Sequence, residues 1–530
     1  MTAYSHADFG LARIGWTSEL PHDRRLRVTR RALTTGADIL NFVATFSLFM
    51  TSGPHLLLSA REIAAQIRCK AVSPVEVARV HLDRIERLNP NLNAFVDCRP
   101  EAVLAQARDA EKAILRGNKD ELAPLHGVPL SIKSSIDVAA HLCEAGSRVR
   151  AGHIAAEDAP LVARLRAAGA VILGVTNAPE LLMAWETDNL LYGRTNNPWD
   201  LTRTAGGSSG GEAAAIAAGL SAGGVGSDGG GSIREPAHFC GICGLKPTPG
   251  RIPSMGHFPK AGGPFALIGV VGPMARTVGD LRTLFEAMAG WDDGDPSYGD
   301  PCAAPVAVRE IHDAAVRAIN IGFFADDGRT PVTNETRSAV NRAASLLLSC
   351  GFRVEPFRPE GLERARQLWW EFFGTAGGMI LGPILRGRES ELSPLLREFR
   401  GWTDAEPAHS GESLLAAWLG RDEVREEILR QMRKYPVLIC PVAAIPAFRH
   451  GERHWQVEGK TVNYLDAWSY CEWFNLLGFP AVVVPMGYSD EGLPIGVQIV
   501  GRPWQEEVVL AVAAKLEEQR GPCAAPQLAG

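Results

Sequence analysis

The stretch GGSSGGEAAAIAAGL, residues 206–220, leads a glycine–serine loop into an alanine-rich segment, and GGVGSDGGGSIREPAHFCG, residues 223–241, follows almost at once. The first stretch predicts a loop that opens a helix, since alanine favours helix and glycine keeps the loop free of side chains. The second predicts a short strand and then a glycine run that ends at Ser232. Either loop alone is typical of a flexible connection. The pair raises the question of why a hydroxyl stands behind three glycines.

Around these loops the sequence alternates between helix and strand signals. Ser73, Pro74 and Glu76 form a capping box that predicts the start of a helix over residues 73–89. The other predicted segments are a strand in VPLSIK (128–133), a helix in APLVARLRAAGA (159–170), a strand in AVILGV (170–175), a loop in NPWDLTRTA (197–205) and a surface connection over 291–305. This alternation predicts an α/β fold.

Composition favours a small-molecule partner. The chain has 530 residues, 46% of them hydrophobic and 22% charged, and a net charge of -6. Because no basic patch stands out, we expect no nucleic acid partner. The ten cysteines have irregular spacings, which is typical of buried thiols in a cytoplasmic protein. Cys240 and Cys243 are the one CxxC pair, and no second pair completes a zinc shell, so we expect no metal.

Residues 1–57 form an N-terminal extension that we predict to be flexible or helical. HDRRLRVTRR, residues 22–31, precedes the apolar run ILNFVATFSLFM, residues 39–50, and this order allows a membrane-surface helix. The interpretation without membrane contact is favoured because Asn41 interrupts the apolar run. Residues 58–525 are predicted to form a single domain.

Two known kinds of site fit the glycine loops poorly. A phosphate-binding loop would need a closing Lys–Ser/Thr pair, which is missing. Gly206, Ser208 and Gly210 satisfy the G-x-S-x-G pattern of α/β-hydrolases. That nucleophile must follow a strand, whereas residues 197–205 are predicted to be a loop, and no histidine is marked as its partner.

The two loops together closely resemble the signature of the amidase signature family. LHGVPLSIKSSIDV, residues 125–138, resembles the family segment that carries a catalytic lysine, and the sequence from FNLLGFPAVVVPM, residues 474–486, onward matches its C-terminal pattern. The resemblance covers roughly residues 58–520. It implies a large mixed central β-sheet flanked by helices on both faces. It also implies a hydrolase that cleaves linear amides without metal or cofactor, with esters and carbamates left open as further substrates.

The resemblance also implies a Ser-cisSer-Lys triad. Ser232 would be the nucleophile, Ser208 would follow a cis Gly207–Ser208 peptide and relay the proton, and Lys133 would be the base. Lysine can act as a base only when it is neutral, and burial away from carboxylates lowers its pKa. The apolar and hydroxyl residues around Lys133 offer no fixed anion in the immediate sequence. The implied oxyanion hole is made by the backbone N–H groups of Gly229, Gly230, Gly231 and Ser232.

Two positions depart from the family pattern. Gly229 stands where threonine is usual, which is expected to loosen the oxyanion loop, and Ser134 stands where aspartate is common, which puts the support of Lys133 in doubt. Asp228 and Arg234 match the family and predict a structural ion pair behind the loop, with a solvated pair as the alternative.

The substrate site is less well defined by sequence. Met183 and Trp185 are candidates for the acyl pocket or for the core, and residues 306–430 are predicted to shape the substrate site. A glutamyl-tRNA amidotransferase A-type subunit is the alternative enzyme, although TNAPELLMAWETDN (176–189) matches its usual segment poorly. A catalytically inactive binding protein is the other alternative, and a homodimer is left open.

Overall fold

The computed structural model describes residues 12–14, 28–30, 58–117, 122–260, 262–292, 295, 309–405 and 407–528. The chain divides into two compact units, Met1–Leu56 and Leu57–Gly530. In the first unit, β1 (Ala12–Ile14) pairs antiparallel with β2 (Val28–Arg30). The predicted apolar run over 39–50 lies outside the described residues, as does most of the predicted connection over 291–305.

The second unit is built on a large β-sheet and two short strand pairs. Its strands are β3 (Phe95–Cys98), β4 (Pro129–Lys133), β5 (Val171–Thr176), β6 (Asn196–Asn197), β7 (Asp200–Thr204), β8 (Gly223–Asp228), β9 (Cys243–Lys246), β10 (Val270–Ala275), β11 (Asn320–Phe323), β12 (Arg353–Pro356), β13 (Val437–Pro441), β14 (His454–Val457), β15 (Lys460–Asn463), β16 (Ala481–Tyr488) and β17 (Pro494–Gly501). The large sheet has eleven strands in the order β12-β11-β13-β17-β16-β9-β10-β8-β4-β5-β3, and β6 with β7 and β14 with β15 form the two pairs outside it.

The large sheet is mixed, which confirms the predicted α/β class. β4 runs parallel to both β5 and β8, and β11 runs parallel to β12 and β13, whereas the other pairings are antiparallel. Every residue of β4, β5, β8 and β13 is buried. A strand that is buried at every position has both of its faces covered, so these inner strands need layers on either side.

Fifteen α-helices of the described part surround or flank the sheet. They are α1 (Ala60–Arg68), α2 (Pro74–Leu92), α3 (Pro100–Arg116), α4 (Pro160–Ala167), α5 (Gly210–Ala217), α6 (Arg234–Cys240), α7 (Val278–Met288), α8 (Asp313–Arg317), α9 (Asn334–Ser349), α10 (Leu362–Trp370), α11 (Gly377–Leu385), α12 (Pro394–Thr403), α13 (Gly411–Gln431), α14 (Ser469–Leu476) and α15 (Glu506–Arg520). Among the helices so described, none combines the length and the apolar character needed to cross a membrane.

Local predictions hold where the signal is strong. The Ser73 side chain accepts from the backbone of Glu76 and the Glu76 side chain accepts from the backbone of Ser73, so the predicted capping box starts α2. The predicted loop over residues 197–205 is wrong in part, because β7 occupies Asp200–Thr204. This strand pairs with a two-residue partner outside the large sheet, and such a short local pairing leaves little hydrophobic pattern in the sequence.

Candidate active site

Lys133 is the last residue of β4 and meets serines from two neighbouring segments. Its Nζ atom lies 2.7 Å from Ser208 Oγ, 2.9 Å from Ser209 Oγ and 3.1 Å from Ser227 Oγ. Ser208 and Ser209 precede α5, and Ser227 lies in β8, which pairs with β4. The fold therefore brings Lys133 and Ser208 together. Ser209 and Ser227, which sequence reasoning did not single out, supply the other contacts of the amine.

The surroundings of Lys133 favour a neutral amine. Burial lowers its pKa well below the ordinary lysine value, while the carboxyl groups of Asp228 and Glu212 oppose that shift. The fold thus brings two carboxyl groups near Lys133 that its immediate sequence lacks. Burial raises the pKa of Glu212 to about 8, so this carboxyl is largely protonated near pH 7. The charge of Asp228 is compensated by Arg234 at 3.0 Å. Neither carboxyl therefore removes the preference for the neutral amine.

Ser232 lies directly after the glycine run and lines a cavity. The Ser209 N–H donates to the Ser232 carbonyl at 3.2 Å, which joins the two glycine loops. Ser208, Ser227 and Ser232 all line the cavity, whose volume is about 80 Å³. The rest of the lining is mainly apolar and includes Leu181, Met183, Phe265, Val271, Phe373 and Leu381.

Asp228 organises the backbone around Ser232. Its carboxylate accepts from the Gly231 N–H at 2.8 Å and from the Ile233 N–H at 3.1 Å. The ion pair between Asp228 and Arg234 is completely buried, as the structural interpretation of these two residues predicts. Although burial alone would raise the pKa of Asp228, the Arg234 guanidinium holds it well below its usual range. Asn475 Nδ2 also donates to the carboxylate, at 3.0 Å, and was not anticipated from sequence.

Two indoles anchor the carbonyl groups of the glycine run. Trp369 Nε1 donates to the Gly229 carbonyl at 2.8 Å, and Trp185 Nε1 donates to the Gly230 carbonyl at 2.9 Å. In a trans peptide the C=O and the following N–H point in opposite directions, so each indole also fixes the direction of the next N–H. Gly231 has a φ of 112°, which a side chain would strain. The N–H of Gly231 is hydrogen-bonded to Asp228. The candidate oxyanion donors are therefore the N–H groups of Gly229, Gly230 and Ser232.

The two predicted substrate contacts separate in the structure. Met183 lines the cavity beside Ser232. Trp185 does not belong to the lining: its ring stacks on Trp468 with centroids 6.1 Å apart and meets Tyr464 edge-on at 5.8 Å. Trp185 therefore supports the glycine run as a buried core residue, which agrees with the core alternative and not with the acyl-pocket alternative.

The aromatic ring of Phe373 packs against the backbone of Gly229. A Cβ atom at Gly229 would lie 2.9 Å from Phe373 Cε2, closer than such atoms approach in proteins. Phe373 stacks on Trp369, with centroids 4.7 Å apart and planes 13° apart, and lines the cavity. Phe373 therefore occupies the space that a larger residue at position 229 would need.

Glu235 supports the peptide that precedes Ser208. Its Oε2 atom accepts from the Gly207 N–H at 2.9 Å, and the Gly207–Ser208 peptide is cis, as the family resemblance implies. Glu235 lies in the first turn of α6 and is buried. An acidic residue in the first turn of a helix is ordinary, so the sequence carries no signal for this contact.

His238, Cys240 and Cys243, which follow the glycine run, lie in the core. Gly496 N–H donates to His238 Nδ1 at 2.7 Å, and His238 Nε2 lies 3.1 Å from the Ile445 carbonyl. This fixes a neutral tautomer with the proton on Nε2, and burial lowers the pKa of His238 to about 4. Cys240 and Cys243 are buried free thiols. Within the described ranges, no group of three or more His, Cys, Asp or Glu residues could hold a metal ion.

Several known proteins are similar to this chain over most of its length. A family model described as Amidase matches residues 76–510. An indoleacetamide hydrolase of Bradyrhizobium diazoefficiens is 34% identical over 478 residues, which cover 88% of both chains. The A-type subunit of a glutamyl-tRNA(Gln) amidotransferase of Synechococcus sp. is 33% identical and covers 86% of this chain and 91% of its own. The solved structure of a bacterial aryl acylamidase of the amidase signature family is 28% identical, with a TM-score of 0.76 over 87% of this chain and 96% of that one.

Proposed function

Since the chain belongs to the amidase signature family and is an amide-hydrolysing enzyme, we propose that it works through a Ser-cisSer-Lys triad of Ser232, Ser208 and Lys133. The observation that carries this proposal is the 2.7 Å contact between Lys133 Nζ and Ser208 Oγ, beside Ser232 in the same cavity. A buried amine that prefers its neutral form has a free lone pair to accept a proton.

Acylation begins when Ser232 Oγ attacks the scissile carbonyl carbon. Its proton passes to Ser208 Oγ as Ser208 gives its own proton to Lys133 Nζ, which becomes an ammonium. As the tetrahedral intermediate collapses, the proton returns along the same route to the leaving nitrogen and the amine departs. Water then attacks the acyl-enzyme with its proton taken by the same relay, which frees the carboxylic acid and restores Ser232. Proton transfers balance without a metal or cofactor.

The oxyanion of each intermediate is assigned to the backbone around the nucleophile. We assign it to the N–H groups of Gly229, Gly230 and Ser232, because the N–H of Gly231 is held by Asp228. Donors fixed in advance need no reorganisation when charge develops. The Trp369 indole, which holds the Gly229 carbonyl and so orients the Gly230 N–H, therefore contributes to rate as well as to stability.

The cavity favours amides with an apolar acyl or aryl group. Its walls are mainly aliphatic and aromatic. Burying an apolar group of the substrate against them removes apolar surface from water, which stabilises the complex by about 25 cal/mol per Å² of surface buried. Esters and carbamates present the same kind of carbonyl to Ser232, and we propose them as additional substrates. Met183 is the sequence-predicted contact that we retain for the acyl group.

The packing of Phe373 against Gly229 predicts a coupled pair of variants. Gly229→Ala places a Cβ atom 2.9 Å from the Phe373 ring, so we expect kcat/KM for an anilide to fall about tenfold, in line with overpacking penalties of about 1–3 kcal/mol. Phe373→Ala removes the clash, and the double variant is expected to recover part of the loss. Steady-state kinetics of the four proteins measure the coupling; additive losses would show that the two positions act independently.

An amidotransferase subunit is the second candidate, because a relative of that name is 33% identical over 500 residues. Such a subunit works with partner chains, whereas we propose an enzyme that acts alone. The inactive binding protein is disfavoured, since Lys133, Ser208 and Ser232 are all present: Ser208 and Ser232 line one cavity, and Lys133 contacts Ser208.

The two enzyme candidates differ in what the purified chain does by itself. We expect it to hydrolyse a simple anilide with no ATP, tRNA, metal or partner added, and a serine-reactive probe to label Ser232 in the same preparation by peptide mass spectrometry. Ser209→Ala, which retains both proposed proton carriers, is the matched control for labelling. Activity that requires a partner chain would support the amidotransferase candidate, and activity lost to a chelator and restored by zinc would contradict the metal-free mechanism.

A further inference from the structure

Lys260 places a cationic side chain in the lining of the mainly apolar cavity. Ser232, which is buried at 8% exposure, and the exposed Lys260 line the same cavity. The backbone before Lys260 is held in place: the Phe258 N–H donates to the Ser135 carbonyl at 2.7 Å, and His257 Nδ1 lies 2.9 Å from the Pro259 carbonyl. Ser135 is two residues from Lys133, so the Phe258 contact joins the segment before Lys260 to the segment that carries the proposed base.

The other titratable groups of the lining do not cancel the charge of Lys260. Asp228 is bonded to the buried Arg234 guanidinium. Burial lowers the pKa of His257 to about 4, so this ring is neutral in the range where the enzyme would work. Across the ranges that the structure describes, no carboxylate lies within 4.0 Å of the Lys260 ammonium. Arg150, whose guanidinium carbon lies 4.0 Å from the Phe258 ring centroid, adds a second cation near this segment.

From this placement we propose that the enzyme favours amides with an anionic group, such as a carboxylate, at the end remote from the scissile carbonyl, and that Lys260 is the residue that determines this preference. The inference rests on the proposed hydrolysis at Ser232. A substrate that fits would have an apolar body between the reacting carbonyl and the charge, since the lining shared by Ser232 and Lys260 also includes the apolar side chains of Phe373 and Leu381.

The physical basis is an ion pair between Lys260 and the anionic group of the substrate, next to mainly apolar lining residues. A cation without a local partner attracts an anion before docking and raises its association rate, and apolar walls weaken the attraction less than open water does. Because Lys260 is exposed, we expect a modest effect that dissolved salt screens over about 8–10 Å.

The test compares kcat/KM for p-nitroanilides of equal chain length that end in a methyl, a carboxylate or an ammonium group, and for a second series with these charges on the leaving group. The charge preference is the ratio of the carboxylate value to the methyl value. In at least one series, Lys260→Met should lower this ratio at least fivefold, and Lys260→Glu should lower it further while raising the ammonium value. The methyl substrate should change little in both variants, and the wild-type ratio should fall as salt rises.

Lys112→Met is the matched control, because Lys112 is an exposed lysine of α3 that lies outside the cavity lining. It should leave all ratios unchanged. If both Lys260 variants change the ratio less than fivefold in both series, or Lys112→Met changes it equally, the inference is overturned while the hydrolase stands. If wild type cleaves none of these anilides and no probe labels Ser232, the proposed function itself fails.

Discussion

Ser232→Ala is expected to form no acyl-enzyme and to lose amidase activity by roughly 10⁴- to 10⁶-fold in kcat, the range seen when a catalytic nucleophile is removed from a relay. Ser232 is the serine that directly follows the glycine run, and its Oγ has no substitute at the position from which the carbonyl carbon would be attacked. Burst kinetics with an activated ester measure acylation directly, and intact-mass spectrometry should show the acyl adduct in wild type alone.

Ser208→Ala separates the nucleophile from the relay. It should retain slow labelling of Ser232 by a strongly activated probe, because Ser232 Oγ is still present, while amide turnover falls because the proton path to Lys133 is broken. Far-ultraviolet circular dichroism and thermal unfolding of both variants exclude a folding defect. An adduct found on Ser208 in wild type, with Ser232 unmodified, would make Ser208 the nucleophile and support the G-x-S-x-G interpretation of an α/β-hydrolase.

The parts of the fold that sequence predicts well are those set by local chemistry. The capping box at Ser73 starts α2 because its two bonds join residues three apart. The strand that ends at Lys133 is a short apolar run buried at every position. The glycine run before Ser232 is also a local signal, because consecutive residues without side chains indicate that the main chain closely approaches another group.

The contacts that support the site could not be predicted, because they join residues far apart in sequence. Trp369 donates a hydrogen bond to the Gly229 carbonyl, 140 residues away in sequence, and Asn475 donates one to Asp228, 247 residues away. Trp185 illustrates the difficulty: an apolar residue near an active-site motif fits a substrate wall and a supporting core equally well. Its indole N–H decides between them, because it is bonded to the glycine run.

The charge of Lys133 also depends on distant residues. Its sequence neighbours carry no anion, yet the fold sets Glu212 and Asp228 near it. Burial of the amine nevertheless keeps the pKa of Lys133 well below the ordinary lysine value, and the two carboxyls oppose it weakly because burial raises the pKa of Glu212 and Arg234 compensates Asp228. This balance is what makes the pH dependence of the reaction a direct test of the base.

Lys133→Ala and Lys133→Arg are both expected to lower kcat/KM for an anilide by about 10³-fold or more, for different reasons. Alanine removes the proton acceptor. Arginine keeps a cation that does not deprotonate in the accessible pH range. In wild type, kcat/KM should rise with pH as the ammonium loses its proton, with an apparent pKa well below that of free lysine, because burial disfavours the charged form.

The pH profiles of wild type and both variants distinguish a base from a merely structural lysine. The apparent pKa belongs to the coupled group of Lys133, its serines and Glu212, so the shape of the profile matters more than a single assignment. Loss of the acidic limb in both variants, with thermal unfolding close to wild type, is the result that a general base requires. Near-normal activity of Lys133→Arg with an unchanged limb would contradict it, because a guanidinium can supply positive charge and hydrogen bonds but cannot take the proton from Ser208.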